Sequence, residues 1–183
     1  MEPADETLML GYARGDARAF EALYTRHKGA LFRFVLRSVK SAGEAEELAQ
    51  EIWMRIIGAR AGYEPRAKFT TWLYSIAHNR LVDHWRARGL AVVSLDDDHA
   101  DPPEPAAGPE AEPERMLEAS QAARRLAAAL AALPFAQREA FLLHQEGGLT
   151  TAQIARATGS NEEAAKSRLR YAVRKLKEAI GDE

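Results

Sequence analysis

The sequence predicts an all-α protein made of two small helical domains joined by an acidic, proline-rich flexible linker, with a helix-turn-helix in the second domain. Three observations predict it. Apolar residues recur at spacings of three and four over long runs on both sides of the middle of the chain. Between those runs, DDDHADPPEPAAGPEAEPE (96–114) holds eight acidic residues and five of the eight prolines, with no Lys or Arg. A segment with no periodic apolar face cannot offset the entropy of folding. Finally, LTTAQIARATGSNEEAAKSRLRYAVRKL (149–176) sets two short amphipathic runs on either side of Thr158-Gly159. The divisions that follow are a first domain over 1–90, a linker over 91–113 and a second domain over 114–183.

Each element has its own signals. Asp16 is placed to cap a helix whose apolar positions Phe20, Leu23 and Tyr24 are continued by Leu31, Phe32, Val35 and Leu36. Ser41 and Glu44 form a capping box opening a helix from about Ala42 to Ile57, with Ala45, Leu48, Ala49, Ile52 and Ile56 on one buried stripe. Its other face carries Glu47, Gln50, Glu51, Met54 and Arg55. Gly62 and Pro65 break the pattern, and TTWLYSIAHNRLVDHWRARG gives a further helix over about 70–88, with a potential interruption near Asn79 and with Trp72, Ile76 and Leu81 as core. Beyond the linker, 115–133 is alanine-rich and helical up to Pro134, and AQREAFLLH makes a short helix that ends at Gly147-Gly148. Thr150 or Thr151 caps the next helix, Gly159 supplies a left-handed exit, and Ser160 or Asn161 caps the last one. There Ala165, Leu169, Ala172 and Leu176 bury one side and leave Glu163, Lys166, Ser167, Arg170 and Arg174 outward.

Composition excludes several classes of function. With 183 residues, 46% of them hydrophobic, the chain can bury one medium core or two small ones. It has no Cys, which rules out disulfides and thiolate zinc sites, and its five His show no paired ligand spacing. His78 and His84, six apart, do not share a helical face. No cofactor or metal is therefore expected. The acidic start MEPADETLML lacks the basic and apolar parts of a leader, and no apolar run approaches a membrane span. The reading is a soluble cytoplasmic protein with no membrane partner.

The net charge of −2 conceals a segregation: outside 96–114 the chain carries 25 basic against 19 acidic residues. The run 161–177 alone holds six Lys/Arg against two Glu. Two helices joined by a short glycine turn form a helix-turn-helix. The second helix offers donors suited to phosphates and guanine edges, which would carry it into a DNA major groove. A solvated surface on an ordinary all-α domain is the competing reading of the same charges.

Five stretches, in order, carry a resemblance: GDARAFEALYTRH (15–27), EAEELAQEIWMRI (44–56), KFTTWLYSIAHNRLVDHWR (68–86), LPFAQREAFLLHQEGGLTTAQIA (133–155) and KSRLRYAVRKL (166–176). Together they resemble the extracytoplasmic-function sigma factors, the small two-domain group of bacterial RNA polymerase sigma subunits. The resemblance implies that 1–90 is the region 2 domain, which binds core RNA polymerase and recognises and melts the minus-ten element. It implies that 114–183 is the region 4 domain, which binds the minus-thirty-five element as duplex. Promoter DNA, duplex and melted, is then a partner beside core polymerase, and an anti-sigma factor clamping the two domains is common in the family. The protein itself would perform no bond chemistry.

By the same resemblance, Glu47, Gln50, Glu51, Trp53 and Arg55 meet the polymerase, Trp53 being either an interface anchor or core. His78, Asn79, Arg80, His84, Trp85, Arg86 and Arg88 supply the planar and cationic groups that a melted strand requires, although Trp85 has a core reading as well. Glu163, Lys166, Ser167, Arg168, Arg170 and Arg174 face the minus-thirty-five duplex. Here the chain departs from the family, with Glu163-Ala164-Ala165 where a Gly-Thr-Val run commonly opens the recognition helix. Glu162 and Glu163 then either complement the helix dipole or accept from a cytosine amino group. In the family the linker threads near the polymerase active site, so its acidic residues either mimic nucleic acid or serve as a plain tether. Two other functions compete. One is a two-domain helix-turn-helix regulator acting without being a polymerase subunit. The other is a metal hydrolase built on Asp96-Asp97-Asp98 and His99, which a proline-rich tether cannot hold in a fixed geometry.

Overall fold

A computed structural model describes residues 2–39, 41–89 and 117–181, with side chains from 121 onward in the last of these. The linker 91–113, including the Asp96–His99 cluster, lies outside the described residues. The described chain is helical: α1 (Asp5–Ala13), α2 (Ala17–Ser38), α3 (Ala42–Ala59), a 3-10 turn (Arg60–Gly62), α4 (Phe69–Ala87), α5 (Leu117–Ala132), α6 (Phe135–Gln145), α7 (Thr151–Thr158) and α8 (Glu162–Gly181).

The helix starts follow from local chemistry. Asp16 Oδ1 accepts from the N–H groups of Arg18 and Ala19 at 3.0 and 3.3 Å, and Ser41 Oγ accepts from Glu44 N–H at 3.2 Å. Each bond satisfies a donor that the first helical turn leaves open. Thr150, rather than Thr151, caps α7, in a reciprocal box with Gln153. Asn161, rather than Ser160, caps α8, its Oδ1 accepting from Ala164 N–H at 2.7 Å. Gly159 ends α7 at φ 68°, a left-handed geometry that costs glycine nothing. The helix-turn-helix is thereby fixed in angle.

Two features depart from the sequence reading. Helix α1, not anticipated, buries Leu8 and Met9, and α4 runs through Asn79 without interruption. The helices α1 and α4 are linked. Lys68 gives α4 no side-chain cap, and Glu6 reaches from α1 to accept the Phe69 N–H at 2.6 Å. A carboxylate there also complements the positive end of the helix dipole. Asp5, next to it, takes His27 Nε2–H at 2.8 Å and pairs with Arg26.

The stripe Ala45, Leu48, Ala49, Ile52 and Ile56 is buried as expected, and Leu81 is fully enclosed, whereas Trp72 and Ile76 pack against the core from its margin. Tyr24 and Leu36, expected on the inner face of α2, remain more than a third exposed. The apolar cluster does not stop at the end of α4: it continues through Leu130, Leu142, Leu143, Ile154, Ala165 and Leu176. Helix α4 lies against α7, and α2 meets α6. At that junction the turn after α6 presses on Tyr74, so closely that a Cβ on Gly147 would stand 2.8 Å from the ring and 2.7 Å from the Leu143 carbonyl oxygen. Glycine permits the approach.

Candidate functional site

Three groups of side chains stand out, and the helices decide what each presents. On α3, the buried stripe turns Glu47, Gln50, Glu51, Met54 and Arg55 outward, where they line one shallow groove. Met54 is 65% exposed, an apolar group in an otherwise charged strip. Trp53 is not among them. It is buried, with Tyr24 and Phe20 edge-on at ring-centroid distances of 5.0 and 6.0 Å. Its place one residue after buried Ile52 carries it to the inner side of α3, so of its two readings the structure gives the core.

The groove is tied to α4. Glu51 pairs with Arg80, and the hydrogen bond from Arg80 holds the Glu51 carboxyl below its ordinary range. Arg55 donates through both guanidinium NH2 groups to Asp83 at 3.2 Å. At the end of α4, Arg88 pairs with Glu44. His84 Nε2 stands 3.6 Å from the same Glu44, and burial lowers its pKa despite that carboxylate. Trp85 is buried beside His84, its indole N–H without a partner among the described residues. Asn79, Arg86 and Arg88 are exposed. Of the seven residues singled out there, Asn79 and Arg86 face outward, Arg80, His84 and Arg88 lie against acids of α3, Trp85 is core, and His78 turns toward α6.

His78 is different again. Its Nδ1–H donates to Glu139 Oε1 of α6 at 2.6 Å, and the two side chains are only 16% and 4% exposed. Burial alone would depress the imidazole pKa, but the hydrogen bond and charge of Glu139 outweigh it, and the pKa is raised above 6.5. Arg168 of α8 and Arg86 of α4 work against that rise. A carboxylate so deeply buried is tolerable only with such a partner. Nothing in the sequence singled out Glu139, although an acid three and four places before the buried pair Leu142-Leu143 falls on the inner face of α6.

On α8, Glu163, Lys166, Arg170 and Arg174 are exposed, whereas Ser167 and Arg168 are half-buried, Arg168 within electrostatic reach of His78 on α4. Lys166 lies 3.2 Å from Glu162, and Arg174 lies 3.7 Å from Glu178 and over the Tyr171 ring. Such exposed pairs are weak and can be exchanged for phosphate.

Comparison with known proteins accounts for this arrangement. Residues 23–90 match the model of Sigma-70 region 2 and residues 123–176 that of Sigma-70 region 4. The chain is 30% identical over 180 residues to the ECF RNA polymerase sigma factor SigK of Mycolicibacterium vanbaalenii, covering 96% of this chain and 89% of that one. It is 33% identical over 175 residues to the ECF RNA polymerase sigma factor SigL of Mycobacterium tuberculosis, covering 91% and 92%. Among solved structures, the sigma factor RpoE of Bartonella quintana in complex with the anti-sigma factor NepR has the same fold, with a TM-score of 0.68 and 23% identity over 91% of this chain and 99% of that one. CnrH in complex with the cytosolic domain of CnrY gives 0.71 and 22% over 99% and 100%.

The His78–Glu139 contact makes stability depend on pH with a definite sign. A histidine whose pKa is raised on folding contributes fully below the ordinary value of 6.5, and the contribution is lost as pH rises through the raised value. His84, whose pKa is lowered, acts in the opposite direction. The His78 part is therefore read as a difference: the urea midpoint of the parent chain should fall, relative to that of Glu139→Gln, as pH climbs from below 6.5. A difference that stays constant over that range would contradict the pairing.

Proposed function

This chain belongs to the extracytoplasmic-function (ECF) RNA polymerase sigma factors, and from that membership we propose how its surfaces share the work. As a sigma factor it binds core RNA polymerase and directs promoter-specific transcription initiation. Our allotment divides it into a region 2 domain, 1–90, and a region 4 domain, 114–183, joined by 91–113. The α3 groove of Glu47, Gln50, Glu51, Met54 and Arg55 docks on the polymerase. Asn79 and Arg86, with His78, Arg80, His84 and Arg88 once their acidic partners release them, engage the minus-ten strand. The outward face of α8 reads the minus-thirty-five duplex.

The observation that carries the reading is the helix-turn-helix itself. With Gly159 at φ 68° and α8 capped by Asn161, Lys166 and Arg170 stand exposed one turn apart. That is the geometry by which a recognition helix presents cations to one groove. The polymerase supplies the bond chemistry, so the chain is not an enzyme in this reading. It works in the cytoplasm, in keeping with the lack, among the described residues, of any helix long and apolar enough to cross a membrane. An anti-sigma factor is a further partner, as NepR is for RpoE.

Two substitution sets test the allotment. Glu47→Lys with Gln50→Ala changes exposed groove residues and should leave stability within about 0.5 kcal/mol, yet weaken core polymerase binding at least tenfold, or about 1.4 kcal/mol. Undiminished co-purification would show that polymerase docks elsewhere. On α8, Arg170→Ala should cost about 1–3 kcal/mol at one base pair of the minus-thirty-five element and relax discrimination there. Arg174→Ala and Lys177→Ala should weaken all promoters alike and each lower the salt slope by about one. The measurement is binding of promoter variants by the polymerase-bound protein at several salt concentrations, and equal, sequence-independent losses for all three would mean that α8 grips without reading.

A further inference from the structure

We propose that the packing of α4 and α2 against α6 and α7 is an autoinhibited form of the free protein, held by two acidic clasps, Glu139 on His78 and Glu146 on Arg33 and Arg37. This rests on the sigma factor reading, because what the clasps prevent is simultaneous engagement of two promoter elements.

The distances decide the matter. The minus-ten and minus-thirty-five elements are named for positions 25 base pairs apart, about two and a half turns of DNA or roughly 85 Å. Here His78, assigned to the first element, is 2.6 Å from Glu139 of the half assigned to the second. Arg168 of the reading helix is close enough to disfavour protonation of that same His78. The 27 residues between Gly89 and Leu117 reach at most about 90 Å when extended. The chain can thus span a promoter, but only after every contact between its halves has been broken.

The second clasp is separate from the first. Glu146 caps the end of α6 with its side chain 7% exposed, and it takes Arg33 Nε–H at 2.7 Å and pairs with Arg37 as well. Both arginines are about half exposed on α2. Between the clasps, Gly147 lies on Tyr74, with no room for a side chain. Burial and the nearby Glu146 carboxylate keep the Tyr74 hydroxyl neutral well above its ordinary range. The clasps lie beside an apolar contact that continues the core from one half into the other, and because each of their charges regains water on separation, they offset part of the cost of opening.

The chain's lack of Cys permits clean labelling: Glu21→Cys on α2 and Ile180→Cys on α8 carry a donor and an acceptor dye on the full-length protein. Free protein should show high energy transfer, and core RNA polymerase should lower it. Glu139→Gln with Glu146→Ala should lower it without polymerase and raise the free protein's affinity for a 40-base-pair duplex at least tenfold. Arg33→Ala with Arg37→Ala breaks one clasp through exposed residues only, so it tests the same point should the buried substitutions impair folding. It should give a smaller change in the same direction. Low transfer in the free parent protein, or parental transfer and DNA affinity in folded variants of both kinds, would overturn the proposal. Failure of core polymerase to bind the parent would instead count against the sigma factor reading, and the dye distances in free protein would still judge the clasps.

Discussion

Glu139 is the residue on which the arrangement of this molecule turns. A carboxylate 4% exposed on α6 has surrendered its water, and in an apolar surrounding only a hydrogen-bonded partner makes that tolerable. The partner comes from α4, across the junction between the two halves of the chain, as the imidazole of His78. Removing one member of a buried pair typically costs about 3–5 kcal/mol, because the other is left stranded. The contact therefore selects one docking of the halves, and Glu146 on Arg33 and Arg37 fixes the rotation about it.

The junction engages groups that the proposed function assigns to DNA: His78 and Arg168, one from each proposed DNA-facing set, both lie at it. The α3 groove is tied to α4 as well, through the pair of Glu51 with Arg80, whose guanidinium acts on His84 rather than on His78. Glu6 has a separate part, holding the first turn of α4 from α1 within the first half of the chain.

Much of this was legible in the sequence because it is local. Caps at Asp16, Ser41, Thr150 and Asn161, the turn at Gly159 and the stripe along α3 are all set by residues within a few positions of one another. What escaped is long-range. Periodicity at Phe20, Leu23 and Tyr24 could not say that Trp53, from another helix, would fill the space beside them. The acidic start of the chain carried no sign of its packing role, in which Asp5 and Glu6 find partners in α2 and α4 some 22 and 63 residues away. The family pattern suggested roles for α4 and α8. It did not reveal that Glu139 and His78, 61 residues apart, would pair, since the spacing ahead of Leu142-Leu143 turns Glu139 inward without naming its partner.

The most direct measurement is small-angle X-ray scattering of the free, full-length protein. A chain of this length, packed as one body, has a radius of gyration near 16 Å, and the tether adds a few Å to it. Halves released from each other, with 27 residues between them and a random-coil separation of about 30 Å for a segment of that length, would give about 25 Å or more. The account predicts a value near 20 Å or below that rises when loss of the clasps sets the halves apart; an expanded free parent protein, at about 25 Å or beyond, would contradict it.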